Sequence, residues 1–165
     1  MPRFALEVKA NMVNVSNLMP EELPDFRWHV KLKCSNCGEV SDHWQYVVAE
    51  NQSTTGSGRG SANFTEKCKL CSRQNSLDIL TETFKPYTAD KNLEYQAMIA
   101  FDCRGLEPVD FDPRNGWCCE STESSAKFSD VDLTEREWAD YDEAASAAVE
   151  INEWQHRFVV VRAKK

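Results

Sequence analysis

No apolar run in this chain approaches the ~20 residues that a helical membrane span requires. The longest near either end is Phe158–Val161, four residues followed by an arginine. The chain opens Met-Pro-Arg-Phe-Ala-Leu-Glu-Val-Lys, and Glu7 and Lys9 interrupt what would have to be the apolar core of a secretory signal. The expected address is therefore the cytoplasm, and also the nucleus, with no attachment to a membrane. Positive charge is scarce too: 19 Lys and Arg stand against 27 Asp and Glu, a net charge of −8. Phosphate backbones are gripped by lysines and arginines that displace counterions, so generic nucleic-acid binding is not expected.

Two common ligand loops are also missing. Ser53-Thr-Thr-Gly-Ser-Gly-Arg-Gly-Ser61 has three glycines but not the Gly-Lys-Ser/Thr ending of a phosphate cradle, and reads as a flexible hairpin tip. The acidic stretch Asp130, Asp132, Glu135, Glu137, Asp140, Asp142 and Glu143 lacks the alternating Asp/Asn and central glycine of a calcium loop. It reads as a solvated acidic face.

What the chain does have is enough apolar material, 41% of 165 residues with 10% aromatic, to fill one core. Strand signals dominate. Phe4, Leu6, Val8, Ala10 and Met12 alternate with mostly polar neighbours, as do Phe26, Trp28, Val30 and Leu32 with Arg27, His29, Lys31 and Lys33. Further strands are expected over Trp44–Ala49, Ala62–Phe64, Leu77–Phe84, Tyr95–Phe101 and Gln155–Arg162, with Pro20 and Pro24 punctuating the first connection. A helix is expected after Thr134, where Thr-Glu-Arg-Glu has the form of a capping box and Trp138, Tyr141, Ala145, Ala148 and Val149 follow at roughly helical spacing.

The two halves show a weak internal repeat. Ser61–Cys68 aligns with Ser125–Asp132, and Leu32–Cys34 with Phe101–Cys103. The expected architecture is mainly β, one structural unit over residues 1–165 built of two pseudo-symmetric antiparallel lobes in tandem, 1–75 and 76–165, with at most one or two short helices. On this alignment Cys34, Cys37, Cys68 and Cys71 correspond to Cys103, Leu106, Asp132 and Glu135, so the second lobe would be a degenerate copy without a metal site.

Seven cysteines, an odd number, include two Cys-x-x-Cys pairs, Cys34/Cys37 and Cys68/Cys71, separated by 30 residues. Paired thiols without a signal segment point to thiolate chemistry in a reducing compartment rather than to a disulfide framework. A two-residue spacer lets both sulfurs of a pair face one point, and two such pairs supply the closed tetrahedral shell of a structural zinc ion. One Zn²⁺ per chain on Cys34, Cys37, Cys68 and Cys71 is expected; iron would suit the same donors. Gly38 provides the sharp turn after the first pair. Residues 27–73 carry seven basic and four acidic side chains, a local surplus of +3 against −11 for the remainder, which offsets the two formal negative charges of a zinc tetrathiolate.

The other candidates read more plainly. His43 is expected at the surface rather than on the metal, His29 in solvent beside Lys31, and His156 as a satisfied, partly buried imidazole. Cys118 and Cys119 read as half-buried or loop thiols.

Phe26-Arg-Trp, Lys33-Cys-Ser-Asn-Cys-Gly-Glu, Gly58-Arg-Gly-Ser-Ala, Lys67-Cys-Lys-Leu-Cys, Cys103-Arg-Gly-Leu-Glu-Pro-Val-Asp-Phe and Phe128-Ser-Asp together resemble the eukaryotic CXXC-motif-containing zinc-binding protein family, almost end to end. The resemblance implies an elongated β protein with pseudo-twofold lobes, zinc on the four cysteines named above, and no established reaction. Cys118-Cys119 lies outside the pattern. The expected function is that of a non-enzymatic, monomeric adaptor meeting a protein partner. The alternatives are a thiol oxidoreductase of the methionine sulfoxide reductase type with Cys103 as nucleophile, and a protein that passes metal on through the tetrad.

Overall fold

A computed structural model describes residues 2–50, 53–54 and 61–161. In chain order its strands are β1 (Arg3–Val13), β2 (Val15–Pro20), β3 (Trp28–Cys34), β4 (Gln45–Val47), β5 (Ser53–Thr54), β6 (Ser61–Ala62), β7 (Phe64–Lys67), β8 (Gln74–Leu80), β9 (Gln96–Arg104), β10 (Leu106–Asp112), β11 (Trp117–Ser121), β12 (Lys127–Val131), β13 (Trp138–Asp142) and β14 (Ala147–Val161). Two single turns of 3-10 helix, Thr81–Thr83 and Ala89–Lys91, are the helical content of the described residues. The protein is mainly β, as its sequence predicts.

The strands form a six-stranded antiparallel sheet, β13-β14-β1-β9-β8-β7, two three-stranded sheets, β10-β3-β4 and β12-β11-β2, and the two-stranded β5-β6. Alternation makes β1: Leu6, Val8, Ala10 and Met12 are buried while Glu7, Lys9 and Asn11 are partly exposed. It runs between β9 and the fifteen-residue β14, with a bulge where Lys9 faces Gln155 but Asn11 faces Asn152, and Glu153 takes a left-handed φ of 53°.

One core lies between the sheets. Trp28 on β3 meets Phe26 at 4.7 Å, Trp117 of β11 at 6.3 Å and Phe101 of β9 at 6.3 Å, all edge to face, and Trp117 reaches Trp154 of β14 at 6.0 Å. All three larger sheets thus contribute aromatics to one cluster.

The boundary drawn between residues 75 and 76 falls inside β8, and each larger sheet takes strands from both sides of it. The sheet orders keep a pseudo-twofold, since β14-β13 flank β1 as β8-β7 flank β9, and β10-β3-β4 corresponds to β2-β11-β12. The segments aligned in the repeat, on β3 and β9 and on β7 and β12, are not counterparts in it. Cys103 faces Leu77 across β8–β9, while Leu106 is the cross-strand partner of Cys34.

The helix expected after Thr134 is instead a hairpin: β13 pairs with β14 from Trp138↔Ile151 to Asp142↔Ala147. Left-handed φ at Arg136 (62°) and Ser146 (51°) interrupts any helical run, and Trp138 packs on Phe128 of β12 at 5.4 Å. The tip of the Ser53–Ser61 hairpin, residues 55–60, lies outside the described residues; its stem pairs Ser53 with Ala62 and Thr54 with Ser61.

Candidate metal centre

Each Cys-x-x-Cys pair folds as a tight knuckle, and the two are built alike. In the first, Gly38 N donates to Cys34 O at 2.8 Å and Cys34 N to Glu39 O at 2.8 Å; in the second, Ser72 N donates to Cys68 O at 2.8 Å and Cys68 N to Arg73 O at 2.9 Å. The fifth residue of each turn is left-handed, φ 82° at Gly38 and 64° at Ser72. Cys34 ends β3, the Cys68 knuckle joins β7 to β8, and the sheets bring the two turns face to face.

The result is one cluster. The four Sγ atoms lie within 4.8 Å of one another, with Cys34–Cys71 at 3.7 Å and Cys37–Cys68 at 3.5 Å. A tetrahedron of sulfurs about zinc, with Zn–S near ~2.3 Å, has edges of ~3.8 Å, so a zinc ion fits this cluster with little movement. Cys34 and Cys68 are buried, Cys71 is half-buried and Cys37 is exposed. When free of metal the thiols differ sharply. Burial opposes ionisation of Cys34, but the N–H of Cys37, the Asn75 amide and the N–H of Asn36 donate to its sulfur and bring its pKa down to about 6. At Cys37 the N–H of Glu39 favours the thiolate, yet desolvation and the crowding of Cys68, Cys34 and Cys71 push the pKa up to about 12. A divalent cation removes that conflict by allowing all four to ionise together.

Asn75 of β8 is the residue that spacing does not reveal. Its side chain is 1% exposed, and Nδ2 donates to Cys34 Sγ at 3.4 Å. Gly105, in the left-handed turn between β9 and β10 (φ 83°), packs against it, and Ser35 N donates to Gly105 O at 3.0 Å. Gly105 lies in Cys103-Arg-Gly-Leu-Glu-Pro-Val-Asp-Phe, one of the segments that carry the family resemblance.

The local positive surplus is balanced from an unexpected quarter. Antiparallel pairing sets Glu107, Asp110 and Asp112 of β10 opposite Lys33, Lys31 and His29 of β3, and Lys33 Nζ lies 4.0 Å from Glu107. Two cations of this stretch also rest on rings: Lys31 is 5.1 Å from Trp44 and Arg27 4.9 Å from Tyr46.

The other candidates are not members of the cluster. His43 is exposed and bonded to Asp42 at 2.9 Å. His29 differs from expectation: it is half-buried, its Nδ1 has no hydrogen-bond partner among the described residues, and burial lowers its pKa, followed by the Arg114 charge. His156 accepts from Trp154 Nε1 at Nδ1 (2.9 Å), so its own N–H is on Nε2, directed to Asp110 at 3.1 Å. Cys118 and Cys119 belong to a strand rather than a loop, so successive side chains face opposite ways; Cys119 is buried and Cys118 half-buried. Cys103 is fully buried, and burial first, then Asp102, raises its pKa to about 12.

A mainly β protein with two mirrored cysteine knuckles closing on one four-sulfur cluster belongs to the class of tetrathiolate zinc-knuckle proteins. The model of one family, the eukaryotic CXXC motif containing zinc binding protein, matches residues 5–159. The chain belongs to that family. It is 49% identical over 159 residues to the Homo sapiens CXXC motif containing zinc binding protein, covering 96% of this chain and 99% of the relative. A Drosophila melanogaster relative is 41% identical over 164 residues, 98% and 99% of the two chains. The crystal structure of C1orf123 superposes with a TM-score of 0.90 at 49% identity, over 95% of this chain and 98% of that one. A Plasmodium falciparum structure at 24% identity shares the fold, with a TM-score of 0.85 over 96% of this chain and all of its own.

Proposed function

We propose that this is a non-enzymatic adaptor protein in which Cys34, Cys37, Cys68 and Cys71 hold one structural zinc ion. The observation that carries this reading is the reciprocal pairing of the knuckles, Cys34 with Cys71 and Cys37 with Cys68, which leaves no donor position to be filled by water. A closed shell of this kind contributes folding free energy, on the order of 10 kcal/mol of apparent binding in small zinc domains, and offers substrate no coordination site. Bound there, the ion would fasten the β3 end to the β7–β8 turn.

A buried Cys103 with a raised pKa supports the non-enzymatic reading over a thiol oxidoreductase, since the thiolate is the nucleophile. The acidic ladder of β10 supports a protein partner over nucleic acid, because it stands opposite the basic row of β3, with Glu107 4.0 Å from Lys33. The expected state is a monomer in the cytoplasm and nucleus. Affinity capture of the intact protein from its own cells, with metal analysis of the captured complex, tests the reading. A protein recovered with one zinc per chain supports it, and turnover of a sulfoxide substrate that disappears in Cys103→Ser would replace it.

One observation favours a second reading, transfer of metal to an acceptor: Cys37 is exposed and Cys71 half-exposed, so an incoming thiol has access to that side of the cluster. Zinc exchange within seconds on addition of a competing thiol ligand would favour transfer, and retention over hours favours the structural role.

A further inference from the structure

We propose that Asn75 is a positioning residue that sets how tightly the tetrad holds zinc, and that Gly105 is the backbone position that keeps Asn75 aimed at Cys34. This rests on the zinc reading above. Asn75 is buried, yet its hydrogen bonding is lopsided: Nδ2 donates to Cys34 Sγ, whereas Oδ1 has no hydrogen-bond partner among the described residues. Burying an amide with an oxygen unpaired is costly when its one bond goes to a neutral thiol. It is a reasonable arrangement when the acceptor is a thiolate, since a bond to an ionised group is about twice as strong. The side chain is therefore matched to the metal-bound form of Cys34.

The unpaired oxygen has a definite place to go. A Cβ added to Gly105 would stand 2.1 Å from Asn75 Oδ1 and 2.9 Å from its Cγ, so the amide fills the space that a side chain at 105 would need. Contact with the Gly105 Cα–H is the weak substitute that Oδ1 receives there. Because Gly105 also accepts from Ser35 N at 3.0 Å, the β9–β10 turn touches the first knuckle and the amide at once. No residue other than glycine at 105 satisfies both the left-handed φ and this contact.

Asn75→Asp keeps the outline of the side chain and turns the donor into a carboxylate facing a thiolate. Asn75→Ala removes the donor altogether. Loss of such an outer contact typically weakens metal binding by roughly 10–100-fold, and we expect both variants to fall in that range when the purified full chain competes for zinc with a chelator. Cobalt substitution adds a readout that a purely structural role would not move. With the N–H donor gone, the Cys34 sulfur releases charge to the metal more readily, so the sulfur-to-cobalt absorption shifts to longer wavelength in both variants. Gly105→Ala should weaken zinc to a similar degree by displacing the amide, and should weaken it further by less than about twofold when added to Asn75→Ala, where the clash has been removed. Zinc affinities within twofold of wild type in Asn75→Asp and Asn75→Ala, with the cobalt band unmoved, would overturn the proposal even if melting temperatures fell. Additive effects of Gly105→Ala and Asn75→Ala would overturn the role given to Gly105. A wild-type chain that binds no zinc overturns the underlying zinc reading and this inference with it.

Discussion

Gly38 and Ser72 occupy the same place in the two knuckles. Each donates its backbone N–H to the carbonyl of the cysteine four residues earlier at 2.8 Å, and each is left-handed, yet only one is glycine. The second knuckle therefore holds a side chain in a conformation that costs an L-residue roughly 1–2 kcal/mol.

Ser72→Gly should accordingly stabilise the zinc-loaded protein, by up to about 1 kcal/mol after the extra entropy of glycine in the unfolded chain is set against the relief. Gly38→Ala should destabilise it by about 1–2 kcal/mol through backbone strain alone, because among the described residues no atom beyond its chain neighbours lies within 4 Å of the added Cβ. Denaturant titrations of the zinc-saturated variants measure both, and opposite signs are the expected outcome.

His156 gives a pH dependence. Burial, foremost, holds its folded-state pKa below the ordinary 6.5, against the raising effect of Asp110. The unfolded chain therefore binds more protons as pH falls below about 6.5, so this residue's contribution is complete above that value and is lost as pH falls through the folded pKa. The difference in stability between wild type and His156→Gln should narrow as pH drops from 7 toward 5. A constant difference across that window would show that the imidazole does not titrate with folding.

Much of this fold was legible in the alternation of β1 and β3, where one face is buried and the period of two is clean. β2, β10, β11, β12 and β13 are not foreseen by that alternation, and for β10 and β13 the reason is physical. β10 carries Pro108 and charged residues at 107, 110 and 112, because its outer face balances β3 and meets His156, and β13 is short and largely exposed. Trp138, Tyr141, Ala145 and Ala148 fit a helical spacing by coincidence; the left-handed turns at Arg136 and Ser146 that make a hairpin leave no glycine as a marker. At the metal centre the cysteines were visible from spacing, but Asn75 was not, since it lies 41 residues from Cys34 and only the sheet brings them together.

Cys103, Cys118 and Cys119 lie outside the four-sulfur cluster. Replacing all three by serine should leave one zinc per chain, while lowering the melting temperature, because Cys103 and Cys119 are buried and act as small apolar side chains. Elemental analysis beside a melting curve checks both, and a second equivalent of zinc that vanished in the variant would indicate another site.

The basic row of β3 should not bind generic duplex DNA at physiological ionic strength, given the acids opposite it and the net charge of −8. Fluorescence anisotropy with a labelled duplex reads this directly, and submicromolar affinity in that buffer would mean that the cations are freer than their partners imply.

The most direct measurement of the central claim is the zinc content and protease resistance of Cys68→Ser beside wild type. Serine leaves three thiolates and a poor fourth donor at a buried position of the cluster. The expected result is one zinc per chain in wild type, little or none in the variant after brief chelation, and rapid cleavage near the 34–37 and 68–71 turns. Full zinc content with unchanged protease resistance in Cys68→Ser would contradict it.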